Sequence, residues 1–119
     1  MLLALALLSS TVVQAVDDDD PWLGPDKALH FSFSAGIAIT AYAGSMLITD
    51  DARVRFALSS GIAIAAGTVK ELADLAGILG HPSWKDFAWD LAGTFFGAVA
   101  SLLLDQLLIT PLFAQIPVW

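Results

Sequence analysis

Three long runs of apolar and small residues, Phe31 to Thr49, Val54 to Val69 and Leu91 to Leu104, constrain this chain more than any other feature. With its flanking turns, each run approaches the ~17–25 residues that an α-helix needs to cross a bilayer. Composition agrees: 57% of the residues are hydrophobic and 14% charged, where soluble domains run near ~45–50% and ~25%. The chain of 119 residues is short enough to be a single unit. The predicted fold class is therefore all-α, a small integral-membrane bundle of three antiparallel hydrophobic helices after an N-terminal signal-like segment.

The connections support that topology. Asp50-Asp51-Ala52-Arg53 is short and polar, and Gly77 to Ser83 contains Gly80 and Pro82, which end one helix and start another. Short loops make neighbouring helices antiparallel. The expected division is a signal peptide over 1–15, an acidic linker over 16–25, a three-helix membrane domain over 26–110 and a C-terminal tail over 111–119. Val13-Gln14-Ala15 is a small-x-small pattern like a signal-peptidase site, although no basic residue precedes the apolar run. An uncleaved anchor is the alternative. Asp17 to Asp20 with Pro21 is expected to be a solvated spacer, because calcium loops use spaced oxygen ligands rather than consecutive carboxylates.

A net charge of −7 with five Lys and Arg residues argues against a nucleic-acid partner, which demands clustered cations. The absence of cysteine removes disulfides, thiolate metal sites, thiol nucleophiles and cysteine lipidation.

The remaining charges fall in three sets. Helix one begins with Asp26, Lys27 and His30, helix two ends with Lys70, Glu71 and Asp74, and helix three begins after Ser83 with Lys85, Asp86 and Asp90. Antiparallel packing brings these sets to one side, and the three- and four-residue spacings put the members of each pair on one helix face. Ionisable groups near hydrocarbon cost about 2.5–3.5 kcal/mol each at a helix centre, so they turn inward, pair, or serve a function. Asp105 stands apart and is expected to snorkel at the far interface. His81, before Pro82, reads as a solvated turn residue.

Gly36, Gly44, Gly61, Gly67, Gly93 and Gly97 allow close helix approach. The Gly93/Gly97 pair is a GxxxG motif for packing within the chain, with homodimerisation as the alternative. Trp22, Trp84 and Trp89 beside the charges and Trp119 at the other end fit the aromatic belts of two interfaces. If the signal is cleaved, Arg53 and Arg55 face the cytoplasm and the charged cluster faces the periplasm.

The segments Trp22-Leu-Gly-Pro-Asp26-Lys27-Ala-Leu-His30-Phe31, Lys70-Glu71-Leu-Ala-Asp74 and Ser83-Trp84-Lys85-Asp86-Phe87-Ala-Trp89-Asp90-Leu-Ala-Gly93 resemble the YfiM-like family of small bacterial envelope proteins. The resemblance covers roughly residues 22 to 100. More loosely, the order of Asp-Lys-x-x-His-Phe, an acidic centre and paired glycines is similar to VanZ-like membrane proteins. The family resemblance implies a bacterial envelope location and no particular reaction. Its lipoprotein members need a cysteine that this chain lacks, which favours integral insertion.

Three functions compete for the cluster. In the first, an accessory or structural membrane protein, Lys27, Lys70 and Lys85 pair with Asp74, Asp86 and Asp90 to lock the helices. In the second, the lysines and His30 hold a lipid phosphate flanked by Trp84 and Trp89. In the third, an enzyme acts on a lipid-linked substrate with His30 as base or nucleophile, Glu71 or Asp74 orienting it, and Asp86 or Asp90 as acid or metal ligand. No recognised metal or cofactor motif is present. Membrane lipids and a larger membrane complex are the expected partners.

Overall fold

The computed structural model describes residues 20–117. The signal-like segment 1–15, the first part of the acidic linker and Trp119 lie outside the described residues. The described chain is all-helical, with α1 over Pro25–Ser45, α2 over Ala52–Leu75 and α3 over Trp84–Leu104. A π-helical turn, Asp105–Ile109, carries α3 into the short α4, Thr110–Phe113.

Local chemistry sets these boundaries. Pro25 occupies the first turn of α1, where its missing N–H costs nothing and its fixed φ suits a helix. Asp51 caps α2 by accepting from the Arg53 N–H at 2.9 Å, and Ser83 caps α3 by accepting from the Asp86 N–H at 3.2 Å. The end of α2 is a Schellman motif: the Ile78 N–H reaches the Ala73 carbonyl and the Gly77 N–H the Asp74 carbonyl, both at 3.0 Å. Gly77 takes the left-handed conformation this needs, with φ of 75°. The π turn lies just before Pro111, which cannot donate to the carbonyl four residues back. There the Thr110 N–H bonds to the Asp105 carbonyl instead.

The helices meet through small residues. Ala38, Ala63 and Ala98, one from each long helix, form the apolar centre. A Cβ on Gly97 would lie 2.5 Å from the Ala35 carbonyl oxygen, and one on Gly93 would overlap the Phe31 carbonyl. The GxxxG pair of α3 is thus used inside the chain, against the backbone of α1.

Polarity is inverted relative to a water-soluble bundle. Among the described residues, buried hydrophobic side chains are limited to Ala35, Ala38, Tyr42, Ala63 and Ala98, whereas Lys27, Ser34, Arg55, Ser59, Asp74, Asp90, Thr94 and Asp105 are among the buried polar ones. Large aliphatic and aromatic residues point outward, Phe33 at 72% and Phe95 at 67% exposure among them.

Among the described residues two stretches, Ala52–Leu75 with 24 residues and Trp84–Phe113 with 30, are long and apolar enough to cross a membrane. At about 1.5 Å per residue the shorter extends ~36 Å, enough for a ~30 Å hydrocarbon core. The sequence predicts three such spans. The 21-residue α1 is not one of the two stretches: Asp26, Lys27 and His30 occupy its first turns, and Ser32, Ser34, Thr40, Tyr42 and Ser45 interrupt the apolar run that follows.

Candidate functional site

The three charged sets predicted from sequence come together in one hydrogen-bonded network. Lys27 lies at its centre: Nζ donates to Asp26 Oδ2 at 2.8 Å, to Asp86 Oδ1 at 2.5 Å and to Asp20 Oδ1. Oxygens of these three carboxylates lie within 4.8 Å of one another. The lysine ammonium therefore occupies the position between them that a bound cation would take.

From Lys27 the network runs along both neighbouring elements. Asp86 Oδ2 is 3.4 Å from His30 Nε2, and His30 Nδ1 is 3.0 Å from Asp90 Oδ1. Ser34 Oγ donates to the same Asp90 oxygen at 2.9 Å. In the other direction, Asp20 Oδ2 accepts from Ser83 Oγ at 2.5 Å, and the Ser83 N–H donates to Glu71 Oε2 at 3.0 Å. Lys70 Nζ closes the chain by donating to Glu71 at 3.2 Å and to Asp74 at 2.7 Å.

The network differs in detail from the pairing predicted. Lys27–Asp86 and Lys70–Asp74 are ion pairs, but Lys85 donates to the Asp20 carbonyl and lies 5.6 Å from the centre of the Trp22 ring. Asp90 is held by His30 and Ser34 rather than by a lysine. Glu71 and Asp74 do not touch His30; Asp86 and Asp90 orient it. Ser34 Oγ bonds to Asp90 rather than to the imidazole, so hydroxyl and base are not arranged as a nucleophile pair.

Asp20 overturns the expectation of a purely solvated linker. The segment Asp20–Gly24 lies over the starts of α1 and α3, fixed also by Trp89 Nε1, which donates to the Trp22 carbonyl at 2.8 Å. Trp22 meets Trp84 edge-on at 4.5 Å between ring centres. Partial burial pushes the Asp20 carboxyl up, but hydrogen bonds from Lys27 and Ser83 and the charges of Lys27 and Lys85 outweigh it. They hold its pKa below the ordinary 3.8.

At the other end of the bundle lies a second network. Asp105 is fully buried, not snorkelling. Its Oδ2 accepts from Tyr42 Oη at 2.7 Å and Arg55 Nη1 at 2.8 Å, and its Oδ1 accepts from Thr110 Oγ1 at 3.1 Å. Arg55, expected in a cytoplasmic loop, is buried in the first turns of α2, where Nε also donates to the Thr49 carbonyl at 2.8 Å. The i→i+5 bonding of the π turn brings Asp105 and Thr110 onto one face. The acid at 105, at the far end of the apolar run Leu91 to Leu104, is the sequence signal of this site.

Beside the first network, a cavity of about 350 Å³ opens between α1 and α2. Leu29, Phe33, Ile37 and Ala66 form its apolar wall. Its polar end is made by His30, Ser34, Lys70 and Asp90, with Gly67 between them. Asp90 is 4% exposed, and its Oδ2 has no hydrogen-bond partner among the described residues.

No protein-family model, curated protein or solved structure matches this chain.

Proposed function

We propose that this chain is an integral membrane protein of the bacterial envelope, an antiparallel three-helix bundle that serves as a structural or accessory subunit. The charged network locks the starts of α1 and α3 to the end of α2 at the periplasmic face. The observation that carries this reading is the inverted polarity: ionic and hydroxyl groups inside, Leu, Ile and Phe side chains outside. In water that distribution would expose far more contiguous apolar surface than a monomer tolerates. In lipid it is the stable arrangement, because buried charges find partners there and the apolar surface meets hydrocarbon.

At Lys27 the pairing supports a lock rather than a phosphate site. Six carboxylates face three lysines and one histidine, and Lys27 spends all three of its hydrogens on Asp20, Asp26 and Asp86. An anion approaching Lys27 meets net negative charge. The resemblance to YfiM-like envelope proteins agrees with the location. With Arg55 engaged by Asp105, the sidedness rests on exposed Arg53 at the opposite end and on the signal-like segment.

The test is extraction of membranes from expressing cells with alkaline carbonate. Retention in the pellet and release only by detergent is the expected result. Recovery in the aqueous supernatant overturns the membrane reading.

A further inference from the structure

The Asp90 cavity contains an acceptor that the ionic network does not use. Oδ1 of Asp90 accepts from His30 and Ser34, whereas Oδ2, like the buried Thr94 hydroxyl one turn further along α3, has no hydrogen-bond partner among the described residues. An unsatisfied buried carboxylate oxygen is costly, and an acceptor-only group calls for a donor. Gly67 lines the same cavity and stands next to this oxygen: a Cβ there would lie 3.3 Å from Oδ2. The excess of carboxylates around Lys27 and His30 selects a cationic donor over an anionic one.

The rest of the cavity describes the molecule carrying that donor. Its wall is hydrocarbon, and Leu29 and Phe33, at 70% and 72% exposure, continue it onto the outer surface of α1. At the polar end, Lys70 Nζ gives two of its three hydrogens to Asp74 and Glu71 and keeps one. A buried carboxylate acceptor, one spare ammonium hydrogen and an apolar wall match a zwitterionic head on an acyl chain.

We propose that this cavity binds a bilayer lipid with a primary-ammonium head, of the phosphatidylethanolamine type, the ammonium donating to Asp90 Oδ2 and the phosphate accepting from Lys70. The hydrocarbon lies along Leu29, Phe33 and Ile37. The proposal rests on the membrane reading above and adds a ligand class to it.

The experiment is native mass spectrometry of the full chain in detergent with equal amounts of phosphatidylethanolamine, phosphatidylcholine and phosphatidylglycerol. Trimethylation removes the N–H donors but keeps the charge, and the glycerol head removes the charge. The expected result is retention of phosphatidylethanolamine at least about tenfold over either of the others, in keeping with a charge-assisted bond. Asp90→Asn, and separately Gly67→Ala, reduce it to the phosphatidylcholine level in protein whose helical circular dichroism is unchanged.

Equal retention of the three lipids by the wild type overturns the proposal whether or not either variant folds. So does a preference that survives in either folded variant. A chain that is retained in carbonate-washed membranes yet shows no lipid preference loses only this inference. A chain released by carbonate loses the membrane reading first.

Discussion

Lys27 faces three carboxylates from three different parts of the chain, so its removal strands several anions at once. Lys27→Met keeps the volume of the side chain and is expected to cost about 3–5 kcal/mol of stability, the range for breaking a buried pair from one side. Thermal unfolding in detergent, followed by tryptophan fluorescence, measures it. Adding Asp86→Leu recovers part of the loss, because Asp26 is more than half exposed and can turn to water. Asp20 gives a prediction in pH. Its folded pKa lies below 3.8, so its contribution is complete above that value and disappears as pH falls through the folded pKa. The difference in melting temperature between wild type and Asp20→Asn is therefore expected to be constant from neutral pH to about 5 and to shrink below 4. A constant difference down to pH 3 would show that the carboxylate gains nothing from Lys27, Lys85 and Ser83. Residues of this kind divide by how far their partners lie in sequence. Lys70 and Asp74 are one helical turn apart, and their pairing is legible from spacing. Asp105 finds Tyr42 and Arg55 at separations of 63 and 50 residues, and a lone acid near the end of an apolar run gives no hint of either. Asp20 is hidden differently, as the last of four identical residues.

At the scale of the helices, α1 and α3 approach at two glycines whose missing side chains are replaced by backbone. Gly93→Ala drives a methyl into the Phe31 carbonyl, and Gly97→Ala one into the Ala35 carbonyl. Neither neighbour is the free end of a flexible side chain, so the helices must separate. The cost of overpacking is about 1–3 kcal/mol or more for each. Among the described residues, Gly36, Gly44 and Gly61 have nothing within 4 Å of the added carbon. Alanine there is expected to stabilise α1 or α2 by about 0.5–1 kcal/mol through helix propensity alone. Thermal unfolding of the five single variants in one detergent separates the two groups, and a destabilising Gly36→Ala would place a neighbour on that face. The existence and order of the helices follow from their apolar runs and from the breaks at Asp50-Asp51 and Gly77 to Ser83. The GxxxG spacing indicates a close contact but not its partner. Gly36 and Gly44 belong to the same class of residue, and only the position of the facing backbone distinguishes them from Gly93 and Gly97. The π turn is less legible still, since Pro111 signals a disturbed helix without specifying how the chain absorbs it.

For the whole molecule, the inverted polarity makes the surface the most informative place to mutate. Phe95 lies on α3 within the longer apolar stretch and is 67% exposed. In a water-soluble bundle Phe95→Lys would change stability by less than about 0.5 kcal/mol and would raise solubility. In a membrane-spanning helix the same change places a charge against hydrocarbon, at about 2.5–3.5 kcal/mol near the bilayer centre on insertion scales. The expected outcome is a sharp fall in the membrane-inserted fraction, measured by carbonate resistance at equal expression. Arg53→Lys at the exposed start of α2 serves as the control, because it preserves charge outside the apolar faces. If Phe95→Lys instead gives a well-expressed protein that is soluble without detergent, the exposed apolar faces meet water or another protein rather than lipid. The charged network would then be the core of a soluble bundle, its pairs strengthened by the protein interior alone.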